Sequence, residues 1–133
     1  MKSVILLCAL LTIWPFSSGQ TFQLTASSSV PAASGTVQVQ AGNNGNTQLD
    51  IKVKHLALPS HLSPPAGVYI VWVQLSGEPA HKLGAIQLDG NQNGELKAIT
   101  TATNADVLIT PEQSVNVAAP TTPPVLHAHI TLK

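Results

Sequence analysis

One stretch constrains this chain more than any other. Gly67 to Leu75 reads Gly-Val-Tyr-Ile-Val-Trp-Val-Gln-Leu. In extended backbone, Val68, Ile70 and Trp72 face one way and Tyr69, Val71, Val73 and Leu75 the other. The run is too short for a globular helix and is rich in β-branched and aromatic residues, so it reads as a strand. Because both of its faces are apolar, both must be covered, which places it at the centre of the fold. It holds the only Tyr and one of the two Trp residues, and so carries a large share of the core area.

The rest of the chain supplies partners for such a strand. Gln20 to Ala26 alternates through Phe22, Leu24 and Ala26, and leads into a Ser, Ala and Pro loop at Ser27 to Ser34. Gly35 to Ala41 points Val37, Val39 and Ala41 inward, and Thr47 to Leu56 does the same with Leu49, Ile51 and Val53. Between them, Gly42-Asn43-Asn44-Gly45-Asn46 tolerates positive φ, so the pair reads as a hairpin. Leu58 to Ala66 carries three prolines and no helical period, which makes it a connection that crosses between sheets.

After the central strand, Gly77-Glu78-Pro79 turns the chain into Lys82 to Leu88, where Gly84 interrupts the alternation and marks a bulge or a close backbone approach. Asp89 to Gly94 turns it again, and Glu95 to Thr101 and Ala105 to Thr110 are two more strands. Pro111 to Pro124 is a loop, and Val125 to Leu132 closes the chain with Leu126, Ala128, Ile130 and Leu132 inward and His127, His129 and Thr131 outward. About 7–8 short strands with turn signals between them and no helix predict an all-β fold, an antiparallel immunoglobulin-like β-sandwich; a closed barrel is the architectural alternative.

The beginning of the chain has a different character. Lys2 followed by the apolar run Val4 to Phe16, with small Ser17 and Gly19 ahead of a cut before Gln20, reads as a secretory signal peptide over residues 1–19. Residues 20–133 then form a single domain, secreted or periplasmic, with no further segment long enough to span a bilayer. The lone Cys8 lies within the signal, so the exported domain is expected to rely on its apolar core without disulfides. Past the signal there are five Lys, no Arg and six Asp or Glu. That balance, with no basic cluster, argues against nucleic acid as a partner.

From His55 onward the order of features resembles the extracytoplasmic C-terminal domain of anti-sigma-K factors. The resemblance runs through Leu58-Pro59, Ala66-Gly67-Val68-Tyr69-Ile70-Val71-Trp72 and Lys82-Leu83-Gly84. It continues with Asp89 and Gly94, Ile109-Thr110 and Glu112, and Pro123-Pro124-Val125-Leu126. It implies an exported β-sandwich whose relatives sense, bind or pack against something outside the cytoplasm, here an unknown protein or an envelope ligand, with envelope stress sensing as one setting. In that family a single helix tethers the domain to a cytoplasmic sigma-binding domain. The resemblance covers the outer domain alone, so sigma-factor inhibition is not expected to carry over. The family's Glu is usually followed by Pro and paired glycines, whereas Glu112 is followed by Gln113-Ser114.

The residues that could carry chemistry are few. His127 and His129, two apart on a strand, leave the same face and offer a bite for Zn²⁺ or Cu²⁺, with His55, His61 or His81 as a third ligand if the fold brings one near. The plainer reading is two solvent-facing residues. Asp89-Gly90-Asn91-Gln92-Asn93-Gly94 begins like a calcium loop, but the twelfth position is Thr100 and the flanks are strands, so a turn is favoured. Ser60-His61 are adjacent in sequence without any nucleophile motif, and the carboxylates Asp50, Glu78, Asp89, Glu95, Asp106 and Glu112 are scattered singly. No catalytic residue and no cofactor is expected. The leading expectation is a non-enzymatic binding or interaction module. The alternatives are a periplasmic Zn/Cu-binding protein using His127 and His129, and a hydrolase whose site assembles only in three dimensions.

Overall fold

The computed structural model describes residues 19–132, so the signal-peptide reading of residues 1–19 lies, Gly19 apart, outside the described residues. Eight strands follow in order: β1 (Gln20–Ala26), β2 (Ser34–Ala41), β3 (Thr47–Lys54), β4 (Val68–Gln74), β5 (His81–Ile86), β6 (Gly94–Thr100), β7 (Asn104–Glu112) and β8 (Leu126–Thr131). Two single-turn 3₁₀ segments, Asn43–Gly45 and Pro59–His61, are the only helical pieces among the described residues. The hydrogen-bonded order is β5-β4-β7-β8-β1-β2-β3-β6, antiparallel throughout.

The ladder folds into two layers. One contains β1, β2, β3 and β6, the other β5, β4, β7 and β8. β1 belongs to both: Gln20 to Leu24 pair with β2, and Thr25 and Ala26 pair with β8. The chain crosses between layers after β3, after β5 and after β6, the interleaving of an immunoglobulin-like sandwich. The outer edges, β5 and β6, come together at a Leu88–Gly94 bridge, so the sandwich is nearly closed.

The inward residues are the ones that the two-residue period selects. Val37, Val39, Leu49, Ile51 and Val53 from one layer meet Tyr69, Val71, Val107, Ile109, Leu126, Ala128 and Ile130 from the other. Burying each Val, Leu or Ile contributes about 1.5–3 kcal/mol relative to leaving it exposed. The β2–β3 turn uses positive φ at Asn44 (60°) and Gly45 (80°), as its composition requires. Gly84 is a bulge: Val71 pairs with Gly84 and Trp72 with Lys82, leaving Leu83 as the extra residue. Gly84 has φ +157°, a backbone conformation that side-chain-bearing residues rarely adopt.

Several strand ends differ from the sequence expectation: β3 stops at Lys54 and not Leu56, β5 stops at Ile86 and not Leu88, and Ala41, expected inward, is exposed at the end of β2. The strand expected to stop at Thr110 continues through Pro111 to Glu112. β4 still pairs with this stretch, Tyr69 opposite Pro111 and Val68 opposite Glu112, whereas pairing with β8 ends at Ile109–Leu126. The nitrogen of Pro111 is on the side from which β8 has departed, so no ladder bond is lost there. Its carbonyl accepts from the Thr122 hydroxyl at 2.8 Å.

Candidate functional site

Antiparallel order puts four connections at one pole: residues 27–33, 55–67, 87–93 and 113–125. The described chain ends lie at the other pole. Gln20 pairs with Val39 near the β2–β3 turn, and the Leu132 amide donates to Thr103 O in the β6–β7 connection. At the four-loop pole, the first, second and fourth connections enclose a groove walled by Leu62, Pro64, Pro123 and Pro124 and edged by Ser27 to Ser29. His61 and Gln113 contribute its larger polar side chains. No Asp, Glu or Lys lines it, so the groove suits a neutral, partly apolar segment better than a charged ligand.

The walls of the groove are anchored. The Tyr69 hydroxyl donates to Ala57 O at 2.5 Å, tying the β3–β4 connection to the core strand. Burial pushes the Tyr69 hydroxyl up to about 12 from its ordinary 10, because the phenolate would lose its water. The Gln113 amide donates to Pro65 O at 2.9 Å and joins two of the loops. The Asp89–Gly94 turn is braced by its own side chain. Asp89 Oδ1 accepts the amides of Asn91 (2.8 Å) and Asn93 (3.1 Å), and the His55 amide donates to Asn93 Oδ1 at 3.3 Å. Asp89 Oδ1, which a calcium loop would use as a ligand, is occupied in folding the turn.

The second face of β4 is covered by a device that sequence reasoning missed. Tyr69 and Val71 enter the inter-sheet core, whereas Ile70 and Trp72 point outward, yet both are 0 % exposed. The β7–β8 connection folds back over them. Trp72 Nε1 donates to Thr110 Oγ1 at 2.8 Å, and the Thr110 hydroxyl donates to Glu112 Oε2 at 2.7 Å. The Thr121 amide donates to the same oxygen at 3.1 Å, while the Thr121 hydroxyl donates to Oε1. Glu112 is 1 % exposed, and every one of these bonds uses its carboxylate as acceptor. Lys82 clamps the far side: its ammonium donates to Val115 O and stands 6.0 Å from the Trp72 ring centroid, at the outer limit for attraction to the ring face. The only advance sign was β4 itself, whose two apolar faces require two covers.

His127 and His129 leave the outer face of β8, as the alternation predicts, and both are exposed. Asp106 lies opposite His129 in the β7–β8 ladder, its Oδ1 2.8 Å from Nδ1. Leu108 lies opposite His127, with Thr25 of β1 on the other side. The proposed third ligands are elsewhere: His55 follows β3, His61 lines the four-loop groove, and His81 begins β5 opposite Val73. Among the described residues, no group of three or more His, Cys, Asp or Glu side chains is placed to hold an ion.

The remaining candidates do not converge. His61 reaches the groove, but neither Ser60 nor any carboxylate lines it, so the Ser-His-carboxylate arrangement of a hydrolase is not assembled there. Asp50 and Glu95 stand on the outer face of β3 and β6, each opposite a lysine: Lys97 and Lys52 respectively. No helix among the described residues is long and apolar enough to cross a membrane. Comparison of the chain with protein-family models and with curated proteins found no match.

Proposed function

We propose that this chain is an exported, non-enzymatic binding module, akin to anti-sigma-K sensory domains, that engages a protein or envelope ligand through its four-loop pole. The observation that carries this reading is the groove between the proline-bearing connections, lined by Leu62, Pro64, Pro123 and Pro124 and free of charged side chains. Its position adds support. The described chain ends lie at the opposite pole from the groove. Loops at one end of an immunoglobulin-like sandwich are also the usual place for recognition, because a rigid core holds them. Export is supported by the apolar run Val4 to Phe16 and the small residues after it. The resemblance, carried by short motifs between Leu58-Pro59 and Val125-Leu126, supports an interaction role in the envelope.

Site-specific photo-crosslinking in the native envelope tests the reading. A photoreactive residue at Leu62 or Pro124 is expected to capture a defined partner, and the same residue at Gln38, on the opposite layer, is not. Equal capture from Gln38, or none from Leu62 and Pro124, contradicts it.

A further inference from the structure

We propose that His127 and His129 form an open surface site for a borderline divalent transition-metal ion, with Cu²⁺ held most tightly, and that Asp106 positions His129 for it. This is independent of the groove between the loops.

Three observations carry it. First, the two histidines are separated by one residue on a regular strand, so their Cα atoms are about 6.8 Å apart with both side chains on the same side, a span that two imidazoles can close over one ion. Second, Asp106 Oδ1 lies 2.8 Å from His129 Nδ1. A carboxylate can only accept here, so the proton is on Nδ1 and the lone pair is on Nε2. His129 is thereby held in the tautomer that ligates through Nε2, and its ring is oriented before any ion arrives. A carboxylate behind the imidazole is the usual support of a metal-binding histidine. Third, no cationic side chain is carried by either strand: β7 reads NADVLITPE and β8 reads LHAHIT. Among the described residues of these two strands, the formal charge directly opposite the pair in the ladder is the negative one of Asp106.

The same geometry defines what the site selects. Two neutral imidazole nitrogens suit Cu²⁺, Ni²⁺ and Zn²⁺ and do not suit Ca²⁺ or Mg²⁺, which require oxygen ligands. With Asp106 engaged behind His129 and no third protein ligand placed nearby among the described residues, the other positions fall to water. Such a site is exchangeable and lacks the closed shell of a structural zinc centre. Affinity should follow the general order in which Cu²⁺ exceeds both Ni²⁺ and Zn²⁺.

Titration of the purified protein with Cu²⁺, followed by calorimetry and by electron paramagnetic resonance, tests the proposal. One ion should bind per chain, with a spectrum showing coupling to imidazole nitrogens. His127→Ala and His129→Ala should each weaken binding at least about tenfold, and Asp106→Asn roughly tenfold, the usual loss when a supporting carboxylate is removed. His81→Ala should leave affinity unchanged. Because all three residues are exposed, the variants should melt at the wild-type temperature without metal, which separates lost ligation from lost folding. Cu²⁺ affinity that survives the double His127→Ala, His129→Ala substitution, or that falls equally in His81→Ala, overturns the site. Wild-type affinity in Asp106→Asn overturns the positioning role.

Discussion

The two outer faces of the sandwich meet their surroundings in opposite ways. On β1, β2, β3 and β6 the outward positions include Thr21, Gln23, Thr36, Gln38, Lys52 and Lys97, laid side by side across the ladder, with Ile99 the one large apolar side chain exposed among them. On β4, the neighbour of β5 and β7, the outward positions Ile70 and Trp72 are as fully buried as the inter-sheet core. The difference lies in the amino acids and not in the ladder, which is antiparallel in both layers. A polar outer face needs only solvent. An apolar one needs a third layer, and here a Pro, Ser, Thr and Ala connection supplies it. A segment so poor in large apolar groups has little hydrophobic adhesion of its own. Glu112 compensates by collecting hydrogen bonds from the strand below and the loop above.

Substitutions on the two faces should therefore differ sharply. Trp72→Ala should have the largest effect, a loss of about 3–5 kcal/mol by denaturant unfolding, because the cavity opens beneath a loop that has few apolar atoms to collapse into it. Tyr69, on the inner side of the same strand, gives a pH test of burial. Its folded-state value of about 12 lies above its ordinary 10, so it favours the native state fully below pH 10. That contribution, about 2–3 kcal/mol, is lost as pH rises from 10 through 12. Since Tyr69 is the only tyrosine, tyrosinate absorbance reports it directly and should rise together with unfolding. On the water-facing layer, Gln38→Ala should change stability by no more than about 0.5 kcal/mol; a loss comparable to that of Trp72→Ala would show that this face is also covered.

What could be read from residues alone divides along the same line. The β2–β3 hairpin, the two-faced β4 strand, the irregularity at Gly84 and the outward direction of His127 and His129 are local properties of short windows. Local rules suffice for them. The continuation of β7 through Pro111 depends on where β8 leaves it and on a hydroxyl from Thr122, neither of which is visible in the window around the proline. Glu112 reads as one of several isolated carboxylates until folding brings Thr121 over it. Asp106 and His129, 23 residues apart, become neighbours only through the β7–β8 register. The groove likewise needs three connections brought to one pole, which composition could mark as loops but could not assemble.

The central claim, that Glu112 holds the β7–β8 connection down over the outer face of β4, is tested most directly by the accessibility of Trp72. In a Trp14→Phe background, Trp72 is the sole tryptophan. Its fluorescence should resist quenching by acrylamide. Glu112→Leu keeps roughly the same volume but removes both acceptor oxygens, leaving the Thr110 hydroxyl and the Thr121 amide and hydroxyl without their partner, which costs about 1–3 kcal/mol. Quenching of Trp72 in that variant should rise several-fold while the far-ultraviolet β signal is retained. Equal shielding of Trp72 with and without the carboxylate would show that the loop stays in place for another reason and would contradict this account.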